Sequence, residues 1–111
     1  MRIWHESIIP HLCDKHLLAV WREGLGAYKI ITENKRGYRN HPATQEYINC
    51  PELLHEQLSL IRETMLSRGW KPKELPAKIA YGGNFKEWQS LGEQIERLKE
   101  KGCPCINRLD K

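Results

Sequence analysis

Apolar residues recur at helical spacing in three stretches of this chain, and no stretch alternates apolar and polar residues at the period of a strand. The first stretch runs from about Asp14 to Ile31. Leu17, Leu18, Trp21, Leu25 and Tyr28 form its apolar stripe, and Asp14 suits the N-cap. The second runs from about Pro51 to Arg68, with Leu54, Leu58, Ile61 and Met65 on one face. Pro51 fits a first helical turn and Gly69 a helix stop. The third runs from about Phe85 to Lys101, with Phe85, Trp88, Leu91, Ile95 and Leu98 on one face and Gly102 after it. Asn84 and Glu87 read as its capping box. Gly92 then falls inside that helix, at a cost of about 1 kcal/mol relative to Ala.

The connections are irregular. Pro72, Pro76 and Gly82-Gly83 make the stretch from Trp70 to Gly83 a long loop with a turn. The link from Glu33 to His41 is polar and basic. The expected fold is all-α: a compact single domain of three main helices over residues 1–111. A chain of 111 residues has no room for a second domain or a doubly wound cofactor-binding sheet. No apolar run nears the roughly 20 residues of a membrane span. Met1-Arg2-Ile3-Trp4-His5-Glu6 carries aromatic and acidic residues too early for a signal peptide.

Without a secretory signal, a reducing, cytoplasmic setting is expected for Cys13, Cys50, Cys103 and Cys105. Cys103-Pro104-Cys105 has a shorter spacing than a zinc knuckle, and the five histidines are scattered, so no metal is expected. There is no glycine-rich phosphate loop and no Gly-x-Ser-x-Gly, and no cofactor is implied. Glu52, Glu56 and Glu63 read as exposed positions of the second helix.

Eighteen Lys+Arg against fourteen Asp+Glu leave a net charge of +4. That permits a polyanionic partner without demanding one, so the arrangement of charges decides. Lys35, Arg36 and Arg39 lie close together with Gly37 and Tyr38 between them and Asn40-His41-Pro42 after them. Such a loop fits a phosphate backbone, and it fits a solvated surface loop equally well. Glu23 has Ala19, Gly26 and Ala27 as helical neighbours. These small residues would leave a dent beside the carboxylate. His16 faces the same side two turns earlier, and Arg22 adjoins. The plainer alternative is a solvated helix glutamate. Gly26 needs a reason in mid-helix, such as close approach of a backbone or ligand.

Met1-Arg2-Ile3-Trp4, Asp14-x-His16-Leu17, Trp21-Arg22-Glu23 and Gly37-Tyr38-Arg39-Asn40-His41-Pro42 together resemble the pyrimidine-dimer DNA glycosylase family. The likeness extends through Met65-Leu66-Ser67-Arg68-Gly69-Trp70 and is weak beyond. It implies an all-α domain and a bifunctional glycosylase/abasic-site lyase whose nucleophile is the first α-amine. Carried over, the resemblance implies Met1 and Glu23 as catalytic residues. It implies Arg2 and Arg22 as phosphate contacts; together with the basic link, the expected DNA contacts are Arg2, His16, Arg22, Lys35, Arg36, Tyr38, Arg39, Asn40 and His41. The implied partner is double-stranded DNA with a damaged or modified base, a pyrimidine dimer first, met by a monomer. An α-amine titrates at about 7.7–8.0 against about 10.4 for lysine, so a useful fraction is neutral at pH 7. The competing expectations are a DNA-binding module without chemistry and a helical protein-interaction domain.

Overall fold

The structure is a computed structural model that describes residues 3–35 and 40–100. In chain order it has a 3-10 turn at Ile9–His11 and helices α1 (Asp14–Thr32), α2 (Pro42–Gln45), α3 (Pro51–Ser67) and α4 (Leu91–Glu100). No strand occurs among the described residues, so the all-α expectation holds.

The two long helices match their periodic stretches. On α3, Leu54, Leu58, Ile61 and Met65 are all buried, and Gly69 follows the helix at φ +81°. On α1, Leu17, Trp21 and Tyr28 are buried as expected, but Leu18 is 38% exposed and Leu25 only partly covered. The buried face is rotated toward Val20, Gly24, Ala27 and Ile31. Gly24 explains the rotation. A Cβ there would lie 2.8 Å from Leu58 Cδ2, so the missing side chain lets α3 close onto α1. Asp14 is the first helical residue and Cys13 the N-cap. The far end of α1 closes through Asn34 at φ 52°, where the Lys35 N–H donates to the Ile30 carbonyl at 2.9 Å.

The third helix is shorter than its apolar pattern. It begins at Leu91 instead of Phe85. Ser90 Oγ accepts the Glu93 N–H at 3.2 Å and lies 3.3 Å from the Glu93 carboxylate, so the capping pair is Ser90 and Glu93. The residues ahead of it bind Glu46 instead of extending the helix. The Lys86 N–H donates to the Glu46 carbonyl at 3.0 Å, and the Trp88 N–H to its carboxylate at 2.9 Å. Gly92 therefore sits in a first turn, where it costs less than in mid-helix.

Two segments without periodicity complete the packing. Ile3, Trp4, Ile8, Ile9 and Leu12 enter the core shared by α1 and α3. Arg68 ties them down. Its guanidinium donates to Asp14 Oδ1 at 2.9 Å and to the carbonyls of Leu12 at 2.6 Å and Pro10 at 3.2 Å. The loop after α3 is extended and held by side chains. Tyr28 Oη donates to the Ala77 carbonyl at 2.6 Å and accepts the Ile79 N–H at 2.8 Å. The Glu52 carboxylate accepts the N–H groups of Tyr81 at 3.1 Å and Gly82 at 2.7 Å. Gly82 takes φ +70°, as the turn expected there requires. Unpaired loop amides are thus satisfied without a sheet.

Candidate active site

Helix α1 turns one edge toward the start of the chain and toward solvent. Glu23 lies on that edge, partly exposed. One turn on, a Cβ at Gly26 would meet nothing within 4 Å, so open space adjoins the carboxylate. Ala19 is partly covered. Ala27 is only 1% exposed and belongs to the core. The dent is therefore bounded by Ala19 and Gly26, and Ala27 is removed from it because its Cβ points inward.

His16 shares the edge with Glu23 two turns earlier, about 10 Å away along the axis. Its ring is half-buried and braced. Nδ1 lies 3.2 Å from Cys13 Sγ, and the Trp4 ring meets it edge-on at 6.1 Å between centroids. Ile3 and Trp4 are each 3% exposed; Trp4 meets this edge at His16, whereas Ile3 lines a hollow with Leu53, Gln57 and Leu60 of α3. Met1 and Arg2 lie outside the described residues, as do Arg36, Gly37, Tyr38 and Arg39.

The other expected contacts divide. Arg22 is exposed on α1, and Lys35 and Asn40 are exposed at the two ends of the basic link. His41 is half-buried and has a local task. Its Nδ1 accepts the Ala43 N–H at 3.1 Å, capping α2, and its ring meets Trp88 edge-on at 5.8 Å. The following Pro42, at N1 of α2, was the signal for that cap in the sequence. Trp4 was legible only as part of a motif, because a lone buried aromatic ahead of a helix has no periodicity to reveal its contact with His16.

Groups that could compete for chemistry are muted. Burial pushes the Cys50 thiol up, and Glu52 adds to the effect, so it is a poor thiolate. Burial also raises the Tyr47 phenol well above its usual range, with the Glu46 carboxylate reinforcing it. Glu52 is held below the ordinary carboxylate range by hydrogen bonds, first from its own backbone N–H and then from those of Gly82 and Tyr81. Among the described residues, no helix is long and apolar enough to cross a membrane.

A family model described as pyrimidine dimer DNA glycosylase matches residues 1–76. No curated protein and no solved structure matches the chain. The matched span contains the Glu23 edge, the braced His16, the basic link and both long helices, and on that ground the chain belongs to the pyrimidine dimer DNA glycosylase family.

Proposed function

We propose that the chain is a DNA glycosylase and abasic-site lyase that acts on pyrimidine dimers in duplex DNA, with the Met1 α-amine as nucleophile and Glu23 as the base. The observation that carries this reading is the contact of the buried Trp4 ring with His16, on the edge of α1 that also holds Glu23. Three residue steps separate Met1 from Trp4, a span of at most about 11 Å, comparable to the roughly 10 Å from His16 to Glu23. The amine attacks C1′ of the damaged nucleotide and the bond from C1′ to the base breaks, the base leaving with a proton; the C1′–O4′ bond then opens, O4′ takes the second amine proton, and an imine to the sugar remains. The Glu23 carboxylate then takes a proton from C2′, the C3′–O bond breaks, and the 3′ phosphate leaves. Open space at Gly26 admits the sugar beside the carboxylate. Arg2 and Arg22 hold phosphates, and Lys35, Arg36, Tyr38, Arg39 and Asn40 extend the contact along the backbone. His41 joins that surface while capping α2.

Borohydride reduction in the presence of abasic-site DNA tests the covalent step. The expected result is a protein–DNA adduct whose linkage maps to the N-terminal residue. A protein with a free N-terminus that binds duplex DNA and yields no adduct would overturn the lyase reading and leave a binding module.

A further inference from the structure

An open groove of about 400 Å³ runs between α1 and residues 70–73. Leu18, Trp21, Leu25, Met65 and Trp70 form its apolar floor. Its charged lining is Arg22, Lys71 and Lys73, with no carboxylate among the described residues. The contrast with a separate hollow of about 440 Å³ is sharp, because that one is lined by Glu6, Glu46, Glu56 and Glu87. The small net charge is therefore unevenly placed, and a polyanion is drawn to one groove and repelled from the other hollow.

Resting on the DNA reading above, we infer that this groove is a further backbone-contact surface for the same DNA, with Lys71 and Lys73 joining Arg22 as its phosphate ligands. The ammonium groups contact phosphate oxygens, and the apolar floor packs against deoxyribose faces. Three features of the molecule support that occupant over an acidic peptide. The exposed crest of α1 continues the cationic track, since Lys15, Arg22 and Lys29 recur every two turns, about 10 Å apart. Ala19 and Gly26 flank the crest on the side of Glu23, and Leu18 and Leu25 flank it on the side of the groove, so the far side is open to a backbone laid along it. Glu23 lies about 100° round the helix from Arg22, beyond the strip of Ala19 and Gly26, so a duplex laid along the crest would meet the groove on one side and the proposed reaction edge on the other.

The far wall of the groove is held in place. Arg62 Nε donates to the Lys73 carbonyl at 3.0 Å, and the Trp70 N–H donates to the Met65 carbonyl at 3.0 Å. Lys71 and Lys73 are thus presented on a fixed backbone, which reduces the ordering cost of contact.

Salt titrations of duplex binding test the inference, read by anisotropy on a dimer-containing duplex and its undamaged counterpart. Lys71→Ala and Lys73→Ala should each lower the slope of log K against log salt by about 0.9, and the double variant by about 1.8. At about 0.1 M salt the double variant should bind roughly tenfold or more weakly. The loss should be the same factor on both duplexes, because phosphates carry no sequence or lesion information. Lys99→Ala removes one charge that is paired with Glu96 at 3.3 Å and should leave the slope unchanged. A double variant with the wild-type slope, in a protein that binds DNA, overturns the groove assignment and leaves the DNA reading standing. Equal losses for Lys99→Ala and Lys73→Ala also overturn it, since net charge would then be the cause. A wild-type protein that binds no duplex overturns both.

Discussion

Gly24 of α1 faces Leu58 of α3 so closely that a Cβ on the glycine would lie 2.8 Å from Leu58 Cδ2. Leu58 is fully buried, so its side chain has little freedom to retreat. Gly24→Ala gains about 1 kcal/mol of helix propensity but meets an overpacking cost of about 1–3 kcal/mol. The expected net is a loss of about 1 kcal/mol, and Gly24→Val should lose more. Gly26 gives the opposite sign. Nothing lies within 4 Å of its would-be Cβ, so Gly26→Ala should raise stability by about 0.5–1 kcal/mol. Urea melts of the two alanine variants check the signs. Gly26→Trp fills the proposed sugar space instead, and should lower borohydride trapping while the protein stays folded.

Arg68 joins the end of α3 to the segment before α1, with its side chain 18% exposed against 70% for Asp14. The two carbonyl bonds therefore matter more than the ion pair. Arg68→Ala should cost about 2–3 kcal/mol, because it loses bonds from a charged donor to two backbone carbonyls and to Asp14. Asp14→Asn should cost under about 1 kcal/mol, as expected for an exposed pair. Arg68→Lys should not restore stability, since one ammonium cannot reproduce the guanidinium fork. Thermal melts of the three variants order them.

The anchor of the loop after α3 carries an acid limit. The carboxyl of Glu52 is held below its ordinary value in the folded protein, first by its own backbone N–H and then by those of Gly82 and Tyr81. A depressed folded pKa means the stabilisation is present above the unfolded value, about 4.3, and is lost as pH falls through the folded value. Hydrogen exchange corrected for intrinsic rate should show the Tyr81 and Gly82 amides losing protection at acid pH and holding it steady from about pH 5 to 8. Glu52→Gln should weaken that protection at neutral pH as well.

Periodicity made α1 and α3 legible, because each buries a face against the other and needs apolar residues every third or fourth position. Ile3, Trp4, Ile8, Ile9 and Leu12 had no such signature. They are buried by an irregular backbone that Arg68 holds from beyond the sequence neighbourhood. The start of α4 was misplaced for a related reason. Phe85 and Trp88 keep helical spacing, but Glu46 takes the nearby amides from about 40 residues away. On α1, Glu23 and its open flank at Gly26 were readable, whereas the inward turn of Ala27 depended on Gly24 drawing α3 close. The cations Lys71 and Lys73 looked like loop residues until the fold set them across a groove from Arg22.

The proposed mechanism separates binding, imine formation and strand scission, so variants should separate them too. Adding one glycine before Met1 shifts the terminal amine by up to about 3.5 Å, more than the tolerance of a near-attack geometry. Duplex binding should persist while the borohydride adduct falls at least tenfold. Glu23→Gln keeps the shape of the side chain and removes the proton acceptor. Trapping with abasic DNA should persist, because imine formation uses the amine, while β-elimination should slow by about 10²–10⁴-fold. Single-turnover gels with and without borohydride give both readouts from one reaction. Unchanged scission by Glu23→Gln would remove Glu23 from the elimination step, and undiminished trapping by the extended chain would move the nucleophile away from the N-terminus.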